Sequence, residues 1–284
     1  MQTPFLRMSR RAMLAVMGGS ATALALRPSI ALAAPFASRR IAVTVRGSGK
    51  DVLLIPGLAS GPGIWNGQLT ALPGYRYHLV QVRGFARLAP EANASGPLIA
   101  PLVDEIARYI DAERLKRPAI VGHSMGGTLA MMLGLRGMAG RVMVVDMLPA
   151  GAGMVGGTAQ GMGYLADQLS SYFTGTKAGR GYLAQIVGQA PGAQGSDPDV
   201  VANALRDLAN IDLGPQLGKM NAPLSVVYAV GADAVQAAEI TRRFRAAYAA
   251  NKGAMLTAIG PSGHVVMADQ PARFNAALRD FLKG

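Results

Sequence analysis

Short apolar runs alternate with longer segments of helical periodicity along this chain, and this alternation limits its fold more than any other feature. Segment 51–55 is a largely apolar run that stops at Pro56-Gly57, as is typical of a strand buried on both faces. Segment 98–115 instead repeats its apolar residues at helical spacing. Because strands that alternate with helices form mainly parallel sheets covered on both sides, we predict an α/β fold. Strands are predicted at 41–45, 51–55, 77–82, 118–121, 141–145, 224–230 and 254–259.

The composition fits one globular domain with room for an insertion. The chain has 284 residues, of which half are apolar and 15% are charged. It has no cysteine, which excludes thiol catalysis, disulfides and thiolate metal sites. Its three histidines are too widely spaced in the sequence to indicate a His-rich metal site. We therefore expect no metal and no cofactor.

The excess of basic residues does not indicate a nucleic-acid partner. The formal net charge is +12, but the basic residues are scattered and form no run interleaved with aromatic residues. A basic surface that attracts anionic ligands is the alternative interpretation. No sequence feature fixes the oligomeric state.

Residues 1–33 have the pattern of an export signal. A basic head precedes the apolar run 12–26, and small residues follow up to Ala34. The pair Arg10-Arg11 resembles the signal that the twin-arginine route reads. We expect a periplasmic or secreted protein with no stable membrane anchor after signal removal. A retained anchor and the general secretory route are the alternatives.

Residues 149–217 interrupt the alternation of strands and helices. The segment begins with a run rich in Gly and Met and has no evident strand. We interpret it as a helical cap inserted between two parts of the core, residues 34–148 and 218–284. It would form either a mobile roof over an apolar pocket or a fixed helical pack. Helical stretches are predicted at 163–173, 180–189 and 198–209, and the predicted pocket residues are Trp65, Met154, Met162, Leu165 and Phe173.

The pentapeptide Gly122-His123-Ser124-Met125-Gly126 has the form G-x-S-x-G and lies between an apolar strand and a helical segment. A nucleophile on a sharp strand-to-helix turn needs small residues two positions before and after it, because side chains there would collide. The turn would expose the Ser124 hydroxyl at a helix N-terminus, where backbone N–H groups can hold an oxyanion. A turn of small residues that merely packs a helix on the sheet is the alternative.

These features together resemble the α/β-hydrolase superfamily, in the branch that carries a cap domain. The resemblance covers almost all of residues 40–284. It includes segment 53–58, which is similar to the oxyanion loop with Pro56 where His is usual. Segment 82–85 is similar to the turn after the next strand, with Gln81 where Asp is usual, and segment 263–271 is similar to the histidine loop and terminal helix. These departures leave the catalytic residue types in place.

A serine nucleophile needs a base within hydrogen-bond reach, and His264 follows the last predicted strand at the edge where Ser124 should emerge. The base in turn needs a carboxylate to fix its tautomer. The resemblance favours Asp233, after strand 224–230, and Asp146, after strand 141–145, is the alternative. Of the remaining candidates, His78 is predicted to be structural, His123 to face away from substrate, and Asp269 to cap the last helix.

The resemblance implies acyl transfer on a carboxylic ester with an apolar acyl or aryl group. Ser124 would be the nucleophile and His264 the general base, and the N–H groups of Leu58 and Met125 would form the oxyanion hole. Thioester, lactone, amide or C–C hydrolysis and cofactor-free perhydrolysis fit the same residues. A binding protein that keeps them but turns over slowly is the alternative from another class.

Overall fold

The computed structural model describes residues 36–151 and 194–284. The predicted export signal and the predicted helices at 163–173 and 180–189 lie outside these ranges. The described residues form one sheet, and each predicted strand is present in it. The strands are β1 (Ile41–Gly47), β2 (Lys50–Ile55), β3 (Tyr75–Val82), β4 (Ala119–His123), β5 (Arg141–Val145), β6 (Leu224–Ala229) and β7 (Met255–Ile259).

The sheet has the order β1-β3-β2-β4-β5-β6-β7. Strand β1 pairs antiparallel with β3, and every other pair is parallel. The predicted mainly parallel sheet, flanked by helices, is therefore confirmed. Strands β4 and β5 are parallel neighbours near the centre of the sheet. The residues that follow them therefore lie side by side at the carboxyl edge of the sheet, which is the side where the strands end and where ligands of open α/β sheets bind.

The described helices connect the strands, and their bounds refine the predicted ones. Helix α2 (Ile99–Ala112) keeps one apolar face buried, as its periodicity predicts, whereas α3 (Met125–Leu135) is buried nearly all round because it lies at the centre of the fold. Helix α1 (Asn66–Ala71) was not predicted, because its six residues carry no apolar repeat and only Gln68 is buried. The described helices are α1 (Asn66–Ala71), α2 (Ile99–Ala112), α3 (Met125–Leu135), α4 (Pro198–Ala209), α5 (Ala234–Ala247), α6 (Val266–Asp269) and α7 (Pro271–Lys283).

Two apolar clusters form the core. One contains buried residues of α2, α3 and α4. The other contains Trp65, Phe274 and the remaining buried residues of α7. No helix within 36–151 or 194–284 has the length and apolar character needed to cross a membrane.

The described ends of the predicted cap are fastened to the core. Its first and last parts meet in a bridge between Ala150 and Asp212, supported by a hydrogen bond from Gly151 N to Ile211 O of 3.1 Å. Helix α4 matches the predicted stretch 198–209, but its buried residues belong to the main core cluster. It also packs so close to the turn after β3 that a Cβ on Gly84 would lie 2.6 Å from Val200 Cγ2. This end of the predicted cap is therefore part of the core, because α4 buries its apolar face there and not in a separate layer.

Candidate active site

Ser124 lies on the turn between β4 and α3 in a conformation that L residues rarely adopt, with φ 52° and ψ −123°. The residues two positions before and two positions after it must be glycine for steric reasons. A Cβ on Gly122 would lie 2.0 Å from Gly126 O, and a Cβ on Gly126 would lie 2.3 Å from Ile55 O. The turn is held to the next strand by a hydrogen bond of 2.9 Å from Ser124 N to Val145 O. The surroundings thus stabilise a strained turn that places Ser124 at the carboxyl edge of the sheet.

His264 and Asp146 form a pair at the same edge. Nδ1 of His264 donates a hydrogen bond to Asp146 Oδ2 at 2.6 Å. The other carboxylate oxygen accepts a hydrogen bond of 2.9 Å from the backbone N–H of Ala229 at the end of β6. The Asp146 side chain is only 9% exposed, whereas that of His264 is 45% exposed. The carboxylate is therefore fixed by the sheet, and a neutral imidazole bonded in this way keeps Nε2 free to accept a proton.

The preference for Asp233 as the partner of His264 is wrong. Asp233 is the exposed N-cap of α5, and its Oδ1 accepts a hydrogen bond of 2.8 Å from Gln236 N. The chain turns into α5 directly after β6, so this carboxylate stabilises the helix N-terminus and does not reach the imidazole. The spacing Asp233-Ala-Val-Gln236 is that of a capping box, and this signal identifies the role of Asp233 from sequence.

The expectation that Asp269 caps the last helix is also wrong. Asp269 ends the short helix α6, and Gln270 is the N-cap residue of α7, with Pro271 in its first turn. Oδ2 of Asp269 instead accepts a hydrogen bond of 2.7 Å from the backbone N–H of Gly263, the residue before His264. The carboxylate therefore supports the histidine loop.

The other two histidines are buried among protein groups. His78 lies in β3, where its ring nitrogens are hydrogen-bonded to Tyr109 Oη at 2.6 Å and to Asp51 Oδ1 at 3.0 Å, which confirms its structural role. His123 packs beside His264 with the ring centroids 4.7 Å apart. Burial first, and the neighbouring His264 second, lower the pKa of His123 to about 4. His123 is therefore neutral near pH 7.

One predicted oxyanion group, the N–H of Met125, directly follows Ser124 in sequence, and the other lies in a loop that touches the Ser124 turn. Met125 is the first residue of α3, so its N–H has no acceptor within the helix. Leu58 is in the loop after β2, and within the described ranges its N–H donates to no acceptor. A Cβ on Gly57 would lie 3.1 Å from Ser124 Cβ, so this loop touches the nucleophile turn. Both N–H groups are thus available at the edge that carries Ser124.

Some predicted site residues do not make the contacts that the prediction requires. Across the described residues, no hydrogen bond links the Ser124 hydroxyl to His264. Trp65 was predicted to line the pocket, but its side chain is 0% exposed and packs on Phe274 with the ring centroids 6.4 Å apart, so that prediction is wrong. The aromatic ring fills the core beneath α7. The predicted pocket residues Met154, Met162, Leu165 and Phe173 lie outside the described residues.

Solved structures of hydrolases share this fold. A hydrolase from Pseudomonas aeruginosa PA01 is 20% identical with a TM-score of 0.69, and the alignment covers 86% of this chain and 94% of that protein. An esterase from Exiguobacterium antarcticum is also 20% identical, with a TM-score of 0.68 and coverages of 86% and 96%.

Sequence relatives cover different shares of the chain. A putative carbamate hydrolase from Variovorax paradoxus is 35% identical over 89 residues, which is 31% of this chain and 33% of that protein. The match thus spans about a third of that relative. An uncharacterized protein from Mycobacterium tuberculosis is 27% identical, with coverages of 86% and 78%. The Alpha/beta hydrolase family matches residues 52–277, and the chain belongs to this family.

Proposed function

We propose that this chain is a serine hydrolase that cleaves carboxylic esters of small or medium apolar acyl or aryl groups through an acyl-enzyme on Ser124. The observation that carries the proposal is the 2.6 Å hydrogen bond between His264 and Asp146 at the edge that holds the strained Ser124 turn. A serine hydroxyl is a weak nucleophile near pH 7 and needs an oriented base. The fixed carboxylate supplies that orientation.

The proposed reaction proceeds in two acyl transfers. Ser124 Oγ attacks the ester carbonyl carbon while Nε2 of His264 takes the hydroxyl proton, and Asp146 stabilises the imidazolium that forms. The N–H groups of Leu58 and Met125 bind the oxyanion. As the tetrahedral intermediate collapses, the C–O bond breaks and His264 gives its proton to the leaving alcohol. Water then attacks the acyl-enzyme by the same steps and releases the acid.

Cleavage of a carbamate is a second candidate. The V. paradoxus relative bears that name, although the match covers a third of it. Carbamate and ester cleavage share the attack on a carbonyl carbon and the oxyanion, and they differ in the leaving group. Comparing matched aryl esters and aryl carbamates on the purified protein separates the two.

The test of the proposal is hydrolysis of p-nitrophenyl esters across a series of acyl lengths by wild type and Ser124→Ala. We expect the variant to fold normally and to lose on the order of 10⁵ in kcat. The matched control is Ser225→Ala, because Ser225 is a buried serine near the start of β6, far along the strand from the carboxyl edge. It should keep nearly full activity. If Ser124→Ala retains more than about a tenth of the activity, Ser124 is not the nucleophile.

A further inference from the structure

The segment Gly260–His264, called here the base loop, joins β7 to the region of α6 and carries the proposed base. Side chains of the following segment hold several of its backbone groups. Gln270 Nε2 donates to Pro261 O at 2.6 Å, and Arg273 Nη1 donates to Gly260 O. Asp269 accepts from Gly263 N at 2.7 Å. Side chains outside the base loop thus fix its conformation together with a backbone hydrogen bond of 3.0 Å from Ser262 N to Val230 O.

One further bond comes from the nucleophile turn itself. Nε2 of His123 donates a hydrogen bond of 2.9 Å to the backbone carbonyl oxygen of His264. His123 is covalently adjacent to Ser124, so this bond ties the proposed base to the residue beside the proposed nucleophile. Together with the bond from Gly263 to Asp269, it holds the backbone on both sides of the His264 side chain.

Only one neutral tautomer of His123 can donate its ring proton to a hydrogen-bond acceptor. Its Nδ1 is buried and, within the described part of the chain, has no hydrogen-bond partner. A Cβ on Gly57 would lie 2.8 Å from this Nδ1, so the oxyanion loop packs directly against that side of the ring. A proton on Nδ1 would have no acceptor there. The single proton of the neutral ring therefore resides on Nε2, where the His264 carbonyl accepts it.

We propose that His123 and Asp269 are positioning residues that fix the base loop so that the His264 imidazole lies between Asp146 and Ser124. This inference rests on the proposed role of His264 as the base. His123 touches the oxyanion loop through Gly57, the base loop through the His264 carbonyl and the nucleophile turn through its own backbone. One buried ring therefore sets the relative placement of the three parts of the site.

The experiment compares His123→Gln with His123→Asn. A Gln side chain can place an N–H donor near the position of Nε2, whereas Asn is too short and places its donor near Nδ1. We expect His123→Gln to keep kcat within about fivefold of wild type and His123→Asn to lower kcat at least about thirtyfold, with KM changed less than about threefold, because the bond acts on the placement of the base and not on substrate binding. His78→Asn, a buried histidine away from the site, should lower the thermal midpoint without this selective loss of kcat.

A second pair tests the other side of the base loop. Asp269→Asn keeps an acceptor oxygen for Gly263 N–H and should remain near wild type, whereas Asp269→Ala should lower kcat about tenfold at unchanged KM. If the His123 variants do not fold, the two Asp269 variants still test whether side chains outside the base loop position His264. The proposal is overturned if His123→Gln and His123→Asn lower kcat equally. It is also overturned if His123→Asn and Asp269→Ala both keep full activity.

Proton NMR separates failure of this inference from failure of the proposed function. The proton on Nδ1 of His264 should give a strongly deshielded resonance, because this nitrogen lies 2.6 Å from Asp146 Oδ2. It should persist in His123→Gln and shift or broaden in His123→Asn whether or not the protein cleaves esters. An unchanged resonance in His123→Asn contradicts the positioning role, whereas inactive wild-type protein with the expected resonance pattern contradicts only the esterase proposal.

Discussion

His264 reaches across the sheet edge to Asp146 and not to Asp233, and the hydrogen bond between Nδ1 and Oδ2 is 2.6 Å long. The carboxylate that orients the imidazole therefore belongs to the residue that directly follows β5. Its second oxygen accepts from Ala229 N at the end of β6, so the neighbouring strand fixes the acid from the other side.

The first prediction concerns this carboxylate. Asp146→Asn should lower kcat for ester cleavage by on the order of 10³–10⁴, because the amide cannot hold the required tautomer of His264. The matched control is Asp233→Asn, which keeps an acceptor for Gln236 N–H at the start of α5 and should leave kcat unchanged. Steady-state kinetics on the two variants measures both effects. A larger loss of kcat in Asp233→Asn than in Asp146→Asn would show that Asp233 is the carboxylate that orients His264.

The strands and the sharp turn at Ser124 could be predicted because their signals are local. Buried parallel strands are apolar runs, and the steric needs of the turn require Gly122 and Gly126. The choice of acid could not be settled in the same way, because β5 and β6 are parallel neighbours and an aspartate follows each of them. Register and side-chain reach decide between Asp146 and Asp233, and these are tertiary properties. The capping-box spacing after Asp233 is a local signal that favours Asp146.

Trp65 illustrates a different kind of error. The residue follows the oxyanion loop in the sequence. In the fold it packs against Phe274, more than 200 residues later in the chain, and such a contact has no local signal. Helix α4 was misplaced for the same reason. Its amphipathic pattern predicts a helix but does not say whether the core or a cap covers its apolar face.

The second prediction concerns stability at acidic pH. Burial lowers the pKa of His123 from its ordinary value of 6.5 to about 4. Between these values the unfolded chain binds a proton at His123 that the folded chain does not, so the free energy of unfolding falls as the pH drops through this window. The loss should reach about 3 kcal/mol by pH 4.

Denaturant unfolding at several pH values between 4 and 7 measures this effect. His123→Gln removes the titrating group, so the difference in unfolding free energy between wild type and variant should shift in favour of the variant as the pH falls. A difference that stays constant with pH would show that His123 has no lowered pKa in the folded protein.

The third prediction concerns the attachment of α4 to the core. Oδ2 of Asp207 accepts hydrogen bonds from Leu98 N at 2.6 Å and Ile99 N at 2.9 Å, and thereby caps α2 from a different helix. Asp207→Ala should lower the free energy of unfolding by about 2 kcal/mol. Asp104→Ala removes an exposed carboxylate paired with Arg136 and should cost less than about 0.5 kcal/mol. Similar effects of the two variants, measured by urea unfolding, would contradict the capping role.

The fourth prediction concerns export, which we propose is directed by residues 1–33. Replacing Arg10 and Arg11 together by Lys keeps the charge of the head but removes the arginine pair. Precursor should then accumulate inside the cell, as fractionation and immunoblotting would show. Replacing Arg7 by Lys is the matched control and should leave export intact. Unimpaired export of the double variant would favour the general secretory route.

Covalent labelling by a fluorophosphonate probe tests the central claim most directly. The probe phosphonylates a serine only when a base activates it, so a binding protein with misaligned groups should label poorly. We predict a single adduct, located by peptide mass spectrometry on the peptide that contains Ser124 and lost in Ser124→Ala. Labelling of a different residue, or no labelling of folded wild-type protein, would contradict the assignment of Ser124 as the activated nucleophile.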